Sequence, residues 1–131
     1  MTAKAAEKPA GRSARLGVFH HHIYEYKKGL RNLILYTGRS DDRRQIEERL
    51  AREGIACLVR EVTPGKINVF FGAPVCIQVI KSFGAKPLAA FTGEEDFMLG
   101  IMLGYDRLKQ CERYLGRPHG RGQIFFTQNI S

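Results

Sequence analysis

A short turn between two apolar segments limits how the chain can fold. Residues 55–62 and 66–71 are both rich in β-branched and aromatic residues, which favour strands. Pro64 and Gly65 between them suit the second and third positions of a type II turn. Because so short a connection only lets the chain fold back on itself, the two segments are predicted to be adjacent antiparallel strands.

The other apolar patterns complete the predicted fold. The run at residues 32–37 is typical of a buried strand, which Gly38 is predicted to end. Apolar residues at helical spacing predict five helices, at residues 19–29, 41–53, 74–83, 93–103 and 107–115, with a strand at residues 22–26 as an alternative within the first. We therefore expect an α/β fold of the α+β type: a three-stranded sheet in the order 1-3-2, a split βαβ unit, with the helices on one face. A strand edge would remain open, and a second copy of the chain could cover it.

Several helix features can be predicted in more detail. Ser40 is expected to cap the second helix, and Thr92 with Glu95 has the pattern of a capping box at the start of the fourth. The fourth helix is apolar on nearly every side, so we expect it to be buried. The predicted inner face of the fifth helix comprises Leu108, Cys111 and Leu115. The residues predicted to be reduced, buried thiols are Cys57, Cys76 and Cys111.

The positive charge is concentrated outside the predicted fold. Of the formal net charge of +8, residues 1–17 supply +3 and residues 116–131 supply +2, which leaves +3 for the segment between them. We expect a disordered basic tail at residues 1–17, a single domain at 18–116 and a flexible C-terminal tail at 117–131. No apolar stretch has the length of a signal peptide or a membrane span, so we expect a cytoplasmic protein without membrane contact.

A run of three histidines, His20, His21 and His22, is the first candidate site. His21 lies four residues before Glu25 and His22 three residues before it, so on a helix both imidazoles reach the carboxylate. Histidine with glutamate can bind zinc or iron, and a metal-, haem- or flavin-binding redox protein or enzyme that uses this cluster is one alternative. The sequence shows no second cluster of ligands, so surface histidines are the favoured interpretation and no cofactor is expected.

Two further groups of residues are candidates for binding. Between the first strand and the second helix, a weak anion site is predicted at Thr37, Gly38, Arg39 and Ser40. A face for an acidic protein is predicted at Lys27, Lys28, Arg31 and Arg39. The helices on either side of Gly104 resemble a helix-turn-helix in outline, and a nucleic-acid-binding regulator is the less favoured alternative.

Four longer segments resemble a known family: HHIYEYKKGLRNL (residues 21–33), INVFFG (67–72), EDFMLGIMLGYD (95–106) and QCERYL (110–115). The chain resembles an uncharacterised family of small bacterial proteins, a domain of unknown function found in anaerobes and often encoded beside, or fused to, a flavodoxin. The resemblance implies a homodimer with three strands and five helices, and it implies no catalytic residues.

The leading hypothesis combines this resemblance with the charge. Flavodoxins are usually acidic, and a basic protein is steered towards an acidic partner by long-range attraction. We therefore expect an accessory or regulatory binding protein for an acidic redox partner such as a flavodoxin, and we expect it not to be an enzyme.

Overall fold

The computed structural model describes residues 16–117, which form three strands and five α-helices. In chain order these are α1 (Gly17–Lys27), β1 (Leu33–Arg39), α2 (Arg43–Arg52), β2 (Ala56–Thr63), β3 (Lys66–Gly72), α3 (Pro74–Ser82), α4 (Gly93–Leu103) and α5 (Arg107–Gly116). The tails predicted at residues 1–17 and 117–131 lie almost entirely outside the described residues, although Leu16 is fully buried. None of the helices between residues 16 and 117 has the length and apolar character of a transmembrane segment.

The predicted hairpin and strand order are confirmed. β3 lies between β1 and β2 and pairs antiparallel with both, which gives the order β1-β3-β2. Gly65 has a φ of +92°, the left-handed value that the third position of a type II turn requires. β1 and β2 consequently run parallel to each other on either side of β3, as in a split βαβ unit.

Helices cover both faces of the sheet, so the prediction of helices on one face was wrong. On one face, called here the α1 face, α1 and α2 pack through Phe19, Ile23, Ile46 and Leu50. On the other, the α4 face, α3 and α4 pack through Ile77, Ile80, Leu99 and Leu103. In β3 every residue from Ile67 to Gly72 is buried. A central strand that is covered on both faces needs such a nearly continuous apolar sequence.

β1 continues past Gly38, which was predicted to end it. The strand runs to Arg39, and Gly38 pairs with Ile67 inside the sheet. A Cβ atom at Gly38 would lie 2.7 Å from the ring of Tyr36, so the glycine makes room for that ring. The strand extends this far because β3 offers a partner as far as Lys66, which lies opposite Arg39.

Helix α2 begins later than predicted, and Ser40 does not cap it. Ser40 opens a short 3-10 turn, and α2 itself starts at Arg43. The backbone N–H of Ser40 donates to the carbonyl oxygen of Gly65 at 2.9 Å, which continues the β1–β3 ladder. Its Oγ atom is buried and has no hydrogen-bond partner among the described residues. Ser40 therefore belongs to the sheet, although the sequence pattern assigned it to the helix.

Helix α4 begins with the predicted capping box. Oγ1 of Thr92 accepts from the backbone N–H of Glu95 at 3.1 Å, and Oε1 of Glu95 accepts from the N–H of Thr92 at 2.9 Å. Met98 and Ile101 on this helix are 40% and 36% exposed, however, so the prediction of a fully buried helix was wrong. The sheet and α5 cover one side of α4, which leaves its other apolar residues at the surface.

Helix α5 packs against α4 through polar residues instead of its predicted apolar face. Leu108 is 74% exposed, Cys111 is exposed and Leu115 is partly buried. The buried residue of α5 is Gln110, and a Cβ atom on Gly100 of α4 would lie 1.8 Å from its Nε2 atom. Because Gly100 has no side chain, the long side chain of Gln110 fits against the backbone of α4. The spacing of apolar residues in the sequence does not predict this contact.

The three cysteines differ in exposure. Cys57 and Cys76 are half-buried free thiols, and burial raises the pKa of each. These two are free thiols, as predicted, but their predicted burial is only partial; the raised pKa disfavours the reactive thiolate. Cys111 is exposed, so its predicted burial was wrong.

Candidate functional site

A cleft of about 560 Å³ runs along the outer side of β1. It is lined by Val18, His22, Leu35, Tyr36, Thr37, Gly38, Arg39, Asp42, Gly65 and Lys66. Neighbouring strand residues point to opposite faces of a sheet, so five consecutive residues of one strand line a single cleft only at the sheet edge. Within residues 16–117 no other strand pairs with this side of β1. We call this feature the β1-edge cleft.

The backbone of β1 presents hydrogen-bonding groups to the cleft. The N–H of Ala73 donates to the carbonyl of Asn32, and the N–H of Ser40 donates to that of Gly65, which fixes the antiparallel pattern. The residues whose N–H and C=O groups point towards β3 are therefore Ile34, Tyr36 and Gly38. Those whose groups point outward are Leu33, Leu35, Thr37 and Arg39. An edge of this kind pairs readily with another extended segment.

The two edge strands differ in how well they are protected. β2 contains Arg60 and Glu61, and its pairing is irregular between Glu61 and Thr63. Charged residues and bulges are devices that prevent an edge strand from pairing with other chains. β1 has no charged residue before Arg39, its last, and its pairing with β3 is regular. Within residues 16–117, β1 is therefore the less protected of the two edge strands.

The cleft brings together most of the predicted anion site and adds a cation to it. The predicted residues that line it are Thr37, Gly38 and Arg39. Ser40 is not among the lining residues. Lys66, which sequence reasoning missed, lies directly opposite Arg39 in the β1–β3 pairing, and like charges in this arrangement repel. Arg39 also lies 3.5 Å from Asp41 in an exposed ion pair, which contributes little. The register of the hairpin was the signal that could have identified Lys66.

The three histidines of α1 point in different directions. Nη1 of Arg49 donates to Nδ1 of His20 at 2.7 Å, and burial, followed by the charges of Arg49 and Arg52, lowers the pKa of His20. The side chain of His21 is 65% exposed. His22 lines the β1-edge cleft. One histidine of the predicted cluster therefore reaches the site.

Glu25 joins His21 and His22, as their spacing predicts. Its Oε1 atom lies 3.2 Å from Nδ1 of His22, and its Oε2 atom lies 3.5 Å from Nε2 of His21. Nη1 of Arg31 also donates to Oε1 at 3.4 Å. The hydrogen bond from His22 makes the largest contribution to lowering the pKa of Glu25. In the part of the chain that the structure describes, no group of three or more His, Cys, Asp or Glu side chains is arranged to hold a metal ion.

Of the four cations predicted to bind a partner, Arg39 lies at the cleft. The three that do not line it are Lys27, Lys28 and Arg31. Nζ of Lys27 is 2.6 Å from Oε1 of Glu53, and Nζ of Lys28 lies 5.5 Å from the ring centroid of Tyr24. These residues lie at the C-terminal end of α1 and in the following loop. Their charges act on a partner at longer range.

A second groove, of about 490 Å³, borders β1 on the α4 face, and Leu35 lines both clefts. Its other apolar lining includes Phe91, Leu99 and Leu103. Gln110 also lines this groove and is 7% exposed. We call this feature the Gln110 groove.

An ionic cluster forms part of the lining of the Gln110 groove. Arg113 donates from Nε and Nη2 to the two carboxylate oxygens of Asp96, at 2.7 and 3.2 Å, and Nη1 of Arg117 lies 3.3 Å from the same carboxylate. The hydrogen bond from Arg113 is the main reason that the pKa of Asp96 is lowered. Asp96 thus holds Arg113 of α5 against α4.

The fold of residues 16–117 defines the class of protein: an α+β domain with helices on both faces of a three-stranded antiparallel sheet. Residues 17–117 match a protein family described as a protein of unknown function (DUF2023), and the chain belongs to that family. The match extends over every helix and strand described above, which confirms the predicted membership of an uncharacterised family. No curated protein matched the sequence.

Proposed function

We propose that this protein is a non-enzymatic accessory or regulatory protein that binds an acidic redox protein, such as a flavodoxin, at the β1-edge cleft. The observation that carries this proposal is the pair of cations, Arg39 and Lys66, at an unprotected strand edge. Two facing cations are stabilised by a partner's carboxylates. The choice of a flavodoxin rests on the family resemblance given above.

The remaining charge of the chain supports the same kind of partner. With a net charge of +8, the protein attracts an acidic surface before contact and so speeds association. Lys27, Lys28 and Arg31 add to this attraction, which acts over about 10 Å at 0.1 M salt. They contribute less to the bound state, because acidic or aromatic neighbours already engage them.

Charge reversal at the cleft tests this function. The double variant R39E/K66E is expected to weaken binding of FMN-loaded flavodoxin about tenfold or more at low salt, because attraction becomes repulsion. Isothermal titration calorimetry at low and high ionic strength measures the effect. The control is K81E/K109E, which changes the net charge equally at residues that do not line the cleft. Absence of flavodoxin binding at low salt, or an equal loss in the control, contradicts the proposal.

We also propose that the protein functions as a homodimer. An apolar patch supports this: Leu30, Ile101 and Tyr105 line one shallow cleft of about 360 Å³ and are 68%, 36% and 54% exposed. Exposed clusters of large apolar residues often mark protein–protein contacts. The patch shares no lining residue with the β1-edge cleft, although Leu103 and Tyr105 also line the Gln110 groove.

A single substitution in this patch tests the dimer. L30D is expected to shift the protein from dimer to monomer, because it places a charge in an apolar contact. Sedimentation velocity at several concentrations measures the change. V75D on α3 is the matched control, since Val75 is also 68% exposed but does not line this cleft. A monomeric wild-type protein at all concentrations, or equal dissociation of both variants, contradicts this interface.

A further inference from the structure

We propose that β1 binds its partner by strand addition, in which an extended acidic segment of the partner pairs with the outer edge of β1 as a fourth strand. The acidic character of the partner rests on the proposed function, and the binding mode is the new element. Strand addition is an established way in which proteins recognise extended peptides: backbone hydrogen bonds give affinity, and pockets for alternate side chains give specificity.

The backbone of β1 supplies the first requirement, groups free to form hydrogen bonds with an added strand. Leu35 and Thr37, in the middle of β1, each point an N–H donor and a C=O acceptor into the cleft. A neighbouring strand forms bonds with such groups at every second residue. The regular pairing of β1 with β3 holds these groups in line over the length of the strand. No rearrangement of the sheet is needed to receive a fourth strand.

The β1-edge cleft and the Gln110 groove supply the second requirement, pockets for alternate side chains. Side chains of an added strand alternate between the faces of the sheet. On the α1 face they meet Val18, His22 and Tyr36 of the β1-edge cleft, and on the α4 face they meet the Gln110 groove next to Leu35. The edge therefore offers separate space for successive side chains of a bound segment.

Gln110 is a recognition element in this arrangement. The residue is 7% exposed and lines the groove. Its side-chain amide both donates and accepts hydrogen bonds. A glutamate or glutamine side chain that enters the groove from the added strand exchanges hydrogen bonds with this amide.

The positive charge at the β1 edge determines which kind of segment binds there. Arg39 and Lys66 lie together at one end of the edge and favour a carboxylate there. A second copy of β1 brings no acidic residue to this edge, because residues 33–39 contain none. An acidic segment from a different protein is therefore the complementary occupant.

Hydrogen exchange followed by NMR on the full chain tests strand addition directly. In the free protein, the outward amides of Leu35, Thr37 and Arg39 should exchange quickly, while the inward amides of Ile34, Tyr36 and Gly38 are protected. A synthetic peptide of alternating glutamate and valine is expected to protect the outward set, which produces protection along the whole strand. A peptide of alternating lysine and valine is the charge control and is expected not to protect it.

Two substitutions at Thr37 separate backbone pairing from side-chain contacts. T37P removes the outward N–H without removing a backbone hydrogen bond to β3, and proline is tolerated at such a position of an edge strand. It is expected to weaken binding of the glutamate–valine peptide about tenfold, since it deletes a hydrogen bond and crowds the edge. T37V removes the hydroxyl that donates to Asn68 at 2.7 Å but keeps the N–H, and should bind within about twofold of wild type. Retained protection of Tyr36 and Gly38 shows that each variant is folded.

The outcomes distinguish this inference from the proposed function. Flavodoxin binding without protection of the outward amides by either flavodoxin or the peptide overturns strand addition and leaves the function standing. Protection that rises with protein concentration in the absence of peptide assigns the edge to a second copy and overturns the inference. Protection of the outward amides in the free protein at every concentration would mean that this chain's own residues cover the β1 edge. That result also overturns the inference. Equal binding of T37P and T37V also overturns it.

Discussion

An alanine at position 72 is expected to lower the free energy of unfolding by about 3 kcal/mol or more. Gly72 ends β3 with a φ of +146°, a backbone conformation that residues with a side chain rarely adopt. A Cβ atom there would lie 2.3 Å from the carbonyl oxygen of Asn32 and 3.0 Å from Cα of Leu33. Both are backbone atoms at the start of β1, so neither can rotate away. The clash is relieved only if the pairing of β1 with β3 opens.

Urea denaturation of G72A against wild type measures this loss, and G54A separates its two causes. Gly54 also has a positive φ, +70°, but no heavy atom lies within 4 Å of a Cβ built there. G54A should therefore cost only the conformational strain, about 1 kcal/mol. If the two variants lose equal stability, the close approach of β1 to Gly72 is not present in solution.

The sequence predicted the parts of the fold that local signals determine. The Pro64–Gly65 turn sets the hairpin, and the capping box at Thr92 and Glu95 sets the start of α4, because each involves residues close together in the chain. Ser40 shows the limit of such signals. It has the properties of a helix cap, but a hydrogen bond to Gly65, distant in sequence, keeps it in the sheet. Competition between local and non-local bonding is not visible in a local pattern.

The same limit explains what was missed at the candidate site. Thr37, Gly38 and Arg39 could be found because they are consecutive residues after an apolar run. Lys66 joins them only through strand register, and Gln110 reaches its groove only because Gly100 lacks a side chain. The apolar spacing of α5 pointed instead to Leu108, which is exposed. Helix packing through a glycine and a polar side chain leaves no periodic signal.

Replacing Phe19 by alanine is expected to cost about 3–5 kcal/mol of stability, the range for removal of a buried aromatic side chain. Phe19 is fully buried and, with Ile23, packs α1 against the sheet. Its ring lies 5.4 Å from that of Tyr36 and 5.6 Å from that of Phe71, the latter in an edge-on arrangement. Such pairs add stability beyond the area that they bury.

Removal of the Phe19 ring also affects the proposed binding site, because Tyr36 belongs to the β1-edge cleft. Loss of Phe19 leaves a cavity beneath Tyr36 and loosens α1, which carries Val18 and His22 of the same cleft. F19A should therefore weaken flavodoxin binding even at temperatures where it stays folded. Y24A, on the same helix at a residue that is 54% exposed, should change stability by less than about 1 kcal/mol. Urea denaturation and calorimetry on both variants test this, and a loss below about 1 kcal/mol for F19A would show that α1 is not part of the core.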